Sequence, residues 1–89
     1  MASYKKFKSE NGYFFMYNKG FAKIFDPKGN YVALVGHFDD TNDLKNQVAH
    51  QNQCFYGANK LHTLTYMPPK IKEHLDKYGM QDINHDMGL

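Results

Sequence analysis

Residues 12–40, GYFFMYNKGFAKIFDPKGNYVALVGHFDD, decide the fold of this chain. Three apolar runs, Tyr13–Tyr17, Phe21–Phe25 and Tyr31–Gly36, are separated by two turn signals. The first is Asn18, Lys19 and Gly20. The second is Asp26 to Asn30, where Pro27 presets φ and Gly29 supplies a positive φ. Runs of this length and composition, bounded by Gly, Pro and Asn, predict an antiparallel meander. Side chains alternate along a strand, so loop parity decides which of them share a face. A two-residue loop at Lys19–Gly20 and an even loop over Pro27–Asn30 put Tyr13, Phe15, Tyr17, Ala22, Ile24, Ala33 and Val35 on one face. Phe14, Met16, Phe21, Lys23, Phe25, Val32 and Leu34 then share the other. Both faces are apolar, whereas an antiparallel sheet commonly wets one of them. The face with Ala22 and Ala33 at its middle lets a helix approach closely. The bulkier face, with its single cation Lys23, must meet a second helix, a second copy of the chain or a partner.

The elements to either side follow from the same signals. Tyr4–Lys8 reads as a preceding strand and Ser9–Gly12 as its turn. Asp39 or Asp40 can cap a helix whose first turn carries Asp43. Leu44, Val48 and Phe55 give that helix its apolar side, with Ala49 and Gln51 nearby and Gly57 as its stop. Leu61–Tyr66 is a fifth strand or an extended segment. Pro68 and Pro69 open a second helix striped with Ile71, Leu75 and Tyr78 and ended by Gly79. The expected architecture is α+β: an antiparallel meander of three to four strands, then a packing helix, then a second C-terminal helix. Residues 1–79 form a single domain, and 80–89 form a polar tail.

Composition narrows the function classes. The chain has 89 residues, enough for one domain with a modest core. All eleven basic residues are Lys, so the bidentate guanine and phosphate contacts of Arg are missing. Codon usage in an AT-rich genome, that of a bacteriophage or a low-GC bacterium, would give this bias toward Lys, Asn, Tyr and Phe. A net charge of +2 leaves no strong footprint for a polyanion. The lone Cys54 excludes an internal disulfide framework and fits a reducing, cytoplasmic setting. No apolar run is long enough to span a membrane.

The wording KGFAKIFDPKGNYVALVGHFDDTNDLKNQV, within residues 12–66, resembles the plant ethylene-response-factor (APETALA-type) DNA-binding domain. The matching pieces are Ala22–Pro27, Val35–Phe38 and Asp39–Val48. The resemblance implies three strands followed by a helix, with Ala22, Ile24, Ala33 and Val35 facing that helix. Where that family reads DNA with charged and Trp side chains, this chain has Lys23, Phe25, Val32 and Leu34. A fainter likeness to cold-shock domains, through YNKGFAKIF and GHF, would set Phe14, Phe21 and Phe25 beside Lys23 to stack on bases.

Catalytic and metal chemistry find little support. His50 and Cys54 are four apart on the expected helix, but a zinc site takes three or four ligands. A solvated His and a half-buried thiol are the simpler reading. Asp39, Asp40 and Asp43 serve as caps, and no glycine run forms a phosphate loop. We therefore expect a non-enzymatic binding protein with no metal, cofactor or small-molecule substrate. It would act on a protein partner, or on itself as a homodimer, in the manner of a phage-type modulator of a host protein. The expected contact face is Phe14, Met16, Phe21, Lys23, Phe25, Val32 and Leu34. The alternative is a nucleic-acid-binding module that uses Lys5, Lys6, Lys8 and Lys23.

Overall fold

The computed structural model describes residues 3–50 and 55–81. Five strands form one antiparallel sheet: β1 (Lys5–Ser9), β2 (Phe14–Asn18), β3 (Phe21–Phe25), β4 (Tyr31–Gly36) and β5 (Leu61–Thr63). Helix α1 (Thr41–His50) lies between β4 and β5, and α2 (Pro69–Tyr78) follows β5. Strand order across the sheet is β4-β3-β2-β1-β5. The meander thus has four consecutive strands, and β5 returns to pair with β1.

The turns set this order. Lys19 and Gly20 both have positive φ, 51° and 87°. That is the tight two-residue hairpin whose twist matches its strands. It pairs Phe15 with Ile24 and Tyr17 with Ala22. The second turn differs from expectation. The Asp26 N–H donates to Asn30 O, and the Gly29 N–H donates to Asp26 O, both at 2.8 Å. The loop is therefore Pro27–Gly29, three residues and odd. A register shift at Ile24/Phe25 absorbs the extra residue. Beyond it, Ala33 pairs with Ile24 and Val35 with Ala22. The two offsets cancel, so the expected faces survive, but Tyr31 is carried to the face of Phe25.

Each face has its own helix. Over Phe7, Phe15, Ala22 and Ile24 sits α1, through buried Leu44 and Val48, with Phe38, Phe55, Ala58 and Leu61 completing that core. Asp40 caps α1 by accepting from the Asp43 N–H at 2.8 Å. The Asp43 carboxylate reaches back to the Asp39 N–H at 2.9 Å, a reciprocal cap. The expected continuation of this helix over Gln51 and Cys54 falls outside the described residues. Over Phe14, Met16 and Phe25 sits α2, through Ile71 and Leu75. Met80 packs against this second core. The packed domain therefore includes Met80, which the expected boundary assigned to the tail; 82–89 lie outside the described residues.

Lys23 is fully buried beneath α2. Its Nζ lies 2.8 Å from His74 Nε2 and 4.7 Å from the centre of the Tyr31 ring. An ammonium donates only, so Nε2 accepts and His74 carries its proton on Nδ1. Phe25 meets the imidazole edge-on at 5.2 Å, and Tyr31 stacks on it at 5.0 Å. Burial, and then the charge of Lys23, lower the His74 pKa to about 4. The unfolded chain, near the ordinary value of 6.5, binds a proton that the folded one refuses. Stability from this contact is present above that value and is lost as pH falls from it toward 4. Urea unfolding across this range should show the loss in the wild type, and a smaller slope in His74→Gln. Equal slopes in the two proteins would contradict the assignment.

Candidate protein interface

A helix with its side chains is about 10 Å across. Five strands at ~4.8 Å spacing span roughly 19 Å. One helix per face therefore cannot cover the whole sheet. The residues in the two cores show where coverage falls: β1, β2 and β3 bear on the helices, while β4 contributes only partly buried side chains. Every residue from Tyr31 to Val35 is half-buried, and Gly36 is exposed.

This corrects the expected contact face. Phe14, Met16, Lys23 and Phe25 are buried, the last three completely. The cover is α2, so these four offer no surface to a partner. Phe21, Val32 and Leu34 remain accessible, and they gather at and beside β4. Phe21 is 36% exposed and meets His37 edge-on at 5.0 Å. Its ring lies over Gly36, where an added Cβ would stand 2.3 Å from a ring carbon. Glycine at 36 thus seats Phe21 flat on the end of β4.

The two edges of the sheet differ. β5 has three residues, and its His62 faces Glu10 across 3.8 Å at the surface. Short edges with charged neighbours resist further pairing. β4 has six residues, Tyr-Val-Ala-Leu-Val-Gly, with no charge and no proline. Among the described residues no strand pairs with its outer side. About half the backbone N–H and C=O groups of such a strand point outward, ready for another chain.

The lysines separate into different environments. Lys5 and Lys6 line a cleft of about 380 Å³ with Thr41, Lys45, Thr63 and the apolar Tyr4, Phe7 and Leu64. Lys45 was not anticipated as part of this set. Its Nζ sits 5.1 Å from the centre of the Phe7 ring, a contact across 38 positions of sequence that no local pattern announces. Lys8 instead lies over Phe14 at 5.2 Å, and Lys23 is in the core. A second groove, about 270 Å³, runs between the β3–β4 turn and α2, lined by Tyr31, Lys70, Glu73, His74, Lys77 and Tyr78. Among the described residues no three His, Cys, Asp or Glu side chains cluster as metal ligands. No described helix is long and apolar enough to cross a membrane.

No protein-family model, curated protein or solved structure matches this chain. The reading of the site therefore rests on its geometry.

Gly36→Ala should lift the Phe21 ring from the end of β4 and loosen that end. The cost expected is about 1–3 kcal/mol, typical of overpacking. Chemical denaturation would measure it, with NMR shifts of Phe21 and His37 reporting the displacement. A variant as stable as the wild type, with unshifted Phe21, would contradict the contact.

Proposed function

We propose that this chain is a non-enzymatic binding protein that contacts another polypeptide by adding a strand to β4. The observation that carries this reading is the uncharged six-residue edge, half-buried from Tyr31 to Val35, in a sheet whose other edge is three residues long. In strand addition the main-chain hydrogen bonds supply affinity, and alternate side chains supply selectivity. Leu34, diagonal to Phe21, and Val32 offer the apolar positions on the α2 side. Ala33 and Val35 offer them on the α1 side. The contact face expected from sequence thus contracts to the part that α2 leaves open.

A direct test uses a short peptide of alternating Val and Thr, N-methylated along one edge so that it cannot stack on itself. Its binding should shift the amide resonances of Tyr31–Gly36 and slow their exchange with solvent. Shifts elsewhere on the domain, or none at all, would remove this reading.

Nucleic-acid contact is the second reading, favoured by one specific feature. Lys5, Lys6 and Lys45 all line one cleft at β1, Lys5 and Lys45 from the α1 side of the sheet and Lys6 from the α2 side, with two threonines and no carboxylate in its lining. Three phosphate contacts would give a log–log salt slope of roughly −2 to −3. Lys45→Ala should reduce that slope by about one while leaving base preference unchanged. Titration of duplex and single strands at low salt decides it, and no binding there ends this reading.

A further inference from the structure

We infer that the strand β4 takes up is β4 of a second copy of this chain, paired antiparallel about a twofold axis perpendicular to the sheet. This rests on the strand-addition reading and adds the identity of the partner. Three observations point to it.

The first is the charge at the two ends of β4. Before the strand, the Asp26–Asn30 turn presents exposed Lys28. The Asp26 carboxylate folds into that turn, where it accepts from the backbone N–H groups of Lys28 and Asn30 at 2.9 and 2.8 Å. After the strand come Asp39 and Asp40, both exposed. An antiparallel twofold sets the first end of one copy beside the second end of the other. With Ala33 on the axis, position 28 falls opposite position 38, so Lys28 of each copy lies next to the Asp39–Asp40 pair of its mate. A parallel arrangement would instead bring like ends together.

The second is the strand itself. A homotypic pair places each residue opposite a residue of the same segment, so a charged strand would repel its copy. Between Tyr31 and Gly36 there is no charge to repel. Val32 is the residue that the ladder with β3 skips, between Tyr31 opposite Phe25 and Ala33 opposite Ile24; with the axis at Ala33, that small side chain meets itself and Val32 comes beside Leu34 of the mate. The half-buried apolar strip of one copy then continues into that of the other.

The third is clearance. The buried residues of α1 and α2 pack on β1, β2 and β3. The helices reach β4 only through partly buried side chains, His74 of α2 stacking on Tyr31 and Val35 joining the α1 core, so the outer edge between them is what remains for another strand. The product is a continuous ten-stranded sheet with a helix of each copy on both faces. Isologous contacts of this kind close on themselves and leave β5, the blunted edge, outermost.

The experiment is sedimentation equilibrium of the full chain from low micromolar to near-millimolar concentration, with circular dichroism to confirm folding. The wild type should move from 10.4 kDa toward twice that mass. Val32→Lys alone and Leu34→Glu alone should each stay folded and weaken dimerisation about tenfold or more, equivalent to ~1.4 kcal/mol. Mixing these two variants should restore a heterodimer, because the new cation and the new carboxylate face each other across the axis. A folded wild type that stays at 10.4 kDa throughout overturns the inference. So does a dimer that neither substitution weakens, since its interface lies elsewhere. If the wild type stays monomeric while the N-methylated peptide still shifts the β4 amides, strand addition stands and self-pairing fails. If both are absent, both fail.

Discussion

The geometry of this domain depends on a mismatch between the width of its sheet and the reach of its helices. The strands carry apolar side chains on both faces, so both must be covered. Burial of each Phe, Ile, Leu or Met is worth about 1.5–3 kcal/mol, and a wet face would forfeit much of the stability of a chain this short. Two helices divide the work, one to a face. Neither is wide enough for five strands. The uncovered remainder falls on β4, because Phe7 and Leu61 draw α1 toward the β1 side, while Leu64 joins Ile71 and Leu75 beneath α2.

Much of this can be read along the chain. Phe21–Phe25, Tyr31–Gly36 and Pro69–Tyr78 have the bounds that their turns, prolines and glycines imply. The face assignment also survives, though by a different route from the one its arithmetic took. The loop after Asp26 is odd, and the extra residue at Val32 of β4, opposite Ile24 and Phe25, restores parity. Loop length and bulge are two one-residue offsets that leave almost no separate mark on a hydrophobic pattern. Only Tyr31 records them, because it sits between the two and changes face.

What sequence could not supply is distance between segments far apart in the chain. Ile71, Leu75 and Tyr78 mark an apolar stripe, but nothing local says which side of the sheet receives it. His74 lies on the same stripe by helical spacing, and its contact with Lys23 joins positions 51 apart. That contact explains why a lysine occurs in the middle of an otherwise apolar face. The stem of Lys23 packs as a hydrophobe, while its ammonium meets an imidazole and the face of Tyr31. The cation that hinted at a ligand face is part of the attachment of α2.

The consequence for function is a change of surface. A sheet face binds through side chains, and here its centre has been consumed by the fold. A sheet edge binds through the backbone, which every strand presents. The side chains beside it then act chiefly by permitting or forbidding approach. On β5 the short length and the neighbouring Glu10–His62 pair forbid it. On β4 there is no charge, and Gly36 seats Phe21 against the end of the strand and keeps it from projecting across the edge. Lys28 lies before β4 and Asp39 and Asp40 after it. In the proposed dimer strand direction would therefore be coupled to charge, because antiparallel pairing brings the Lys28 end of one copy to the Asp39–Asp40 end of the other. In the proposed association, the blunted β5 edge and the uncharged β4 edge set where a second chain would add. The charges flanking β4 would then set its direction.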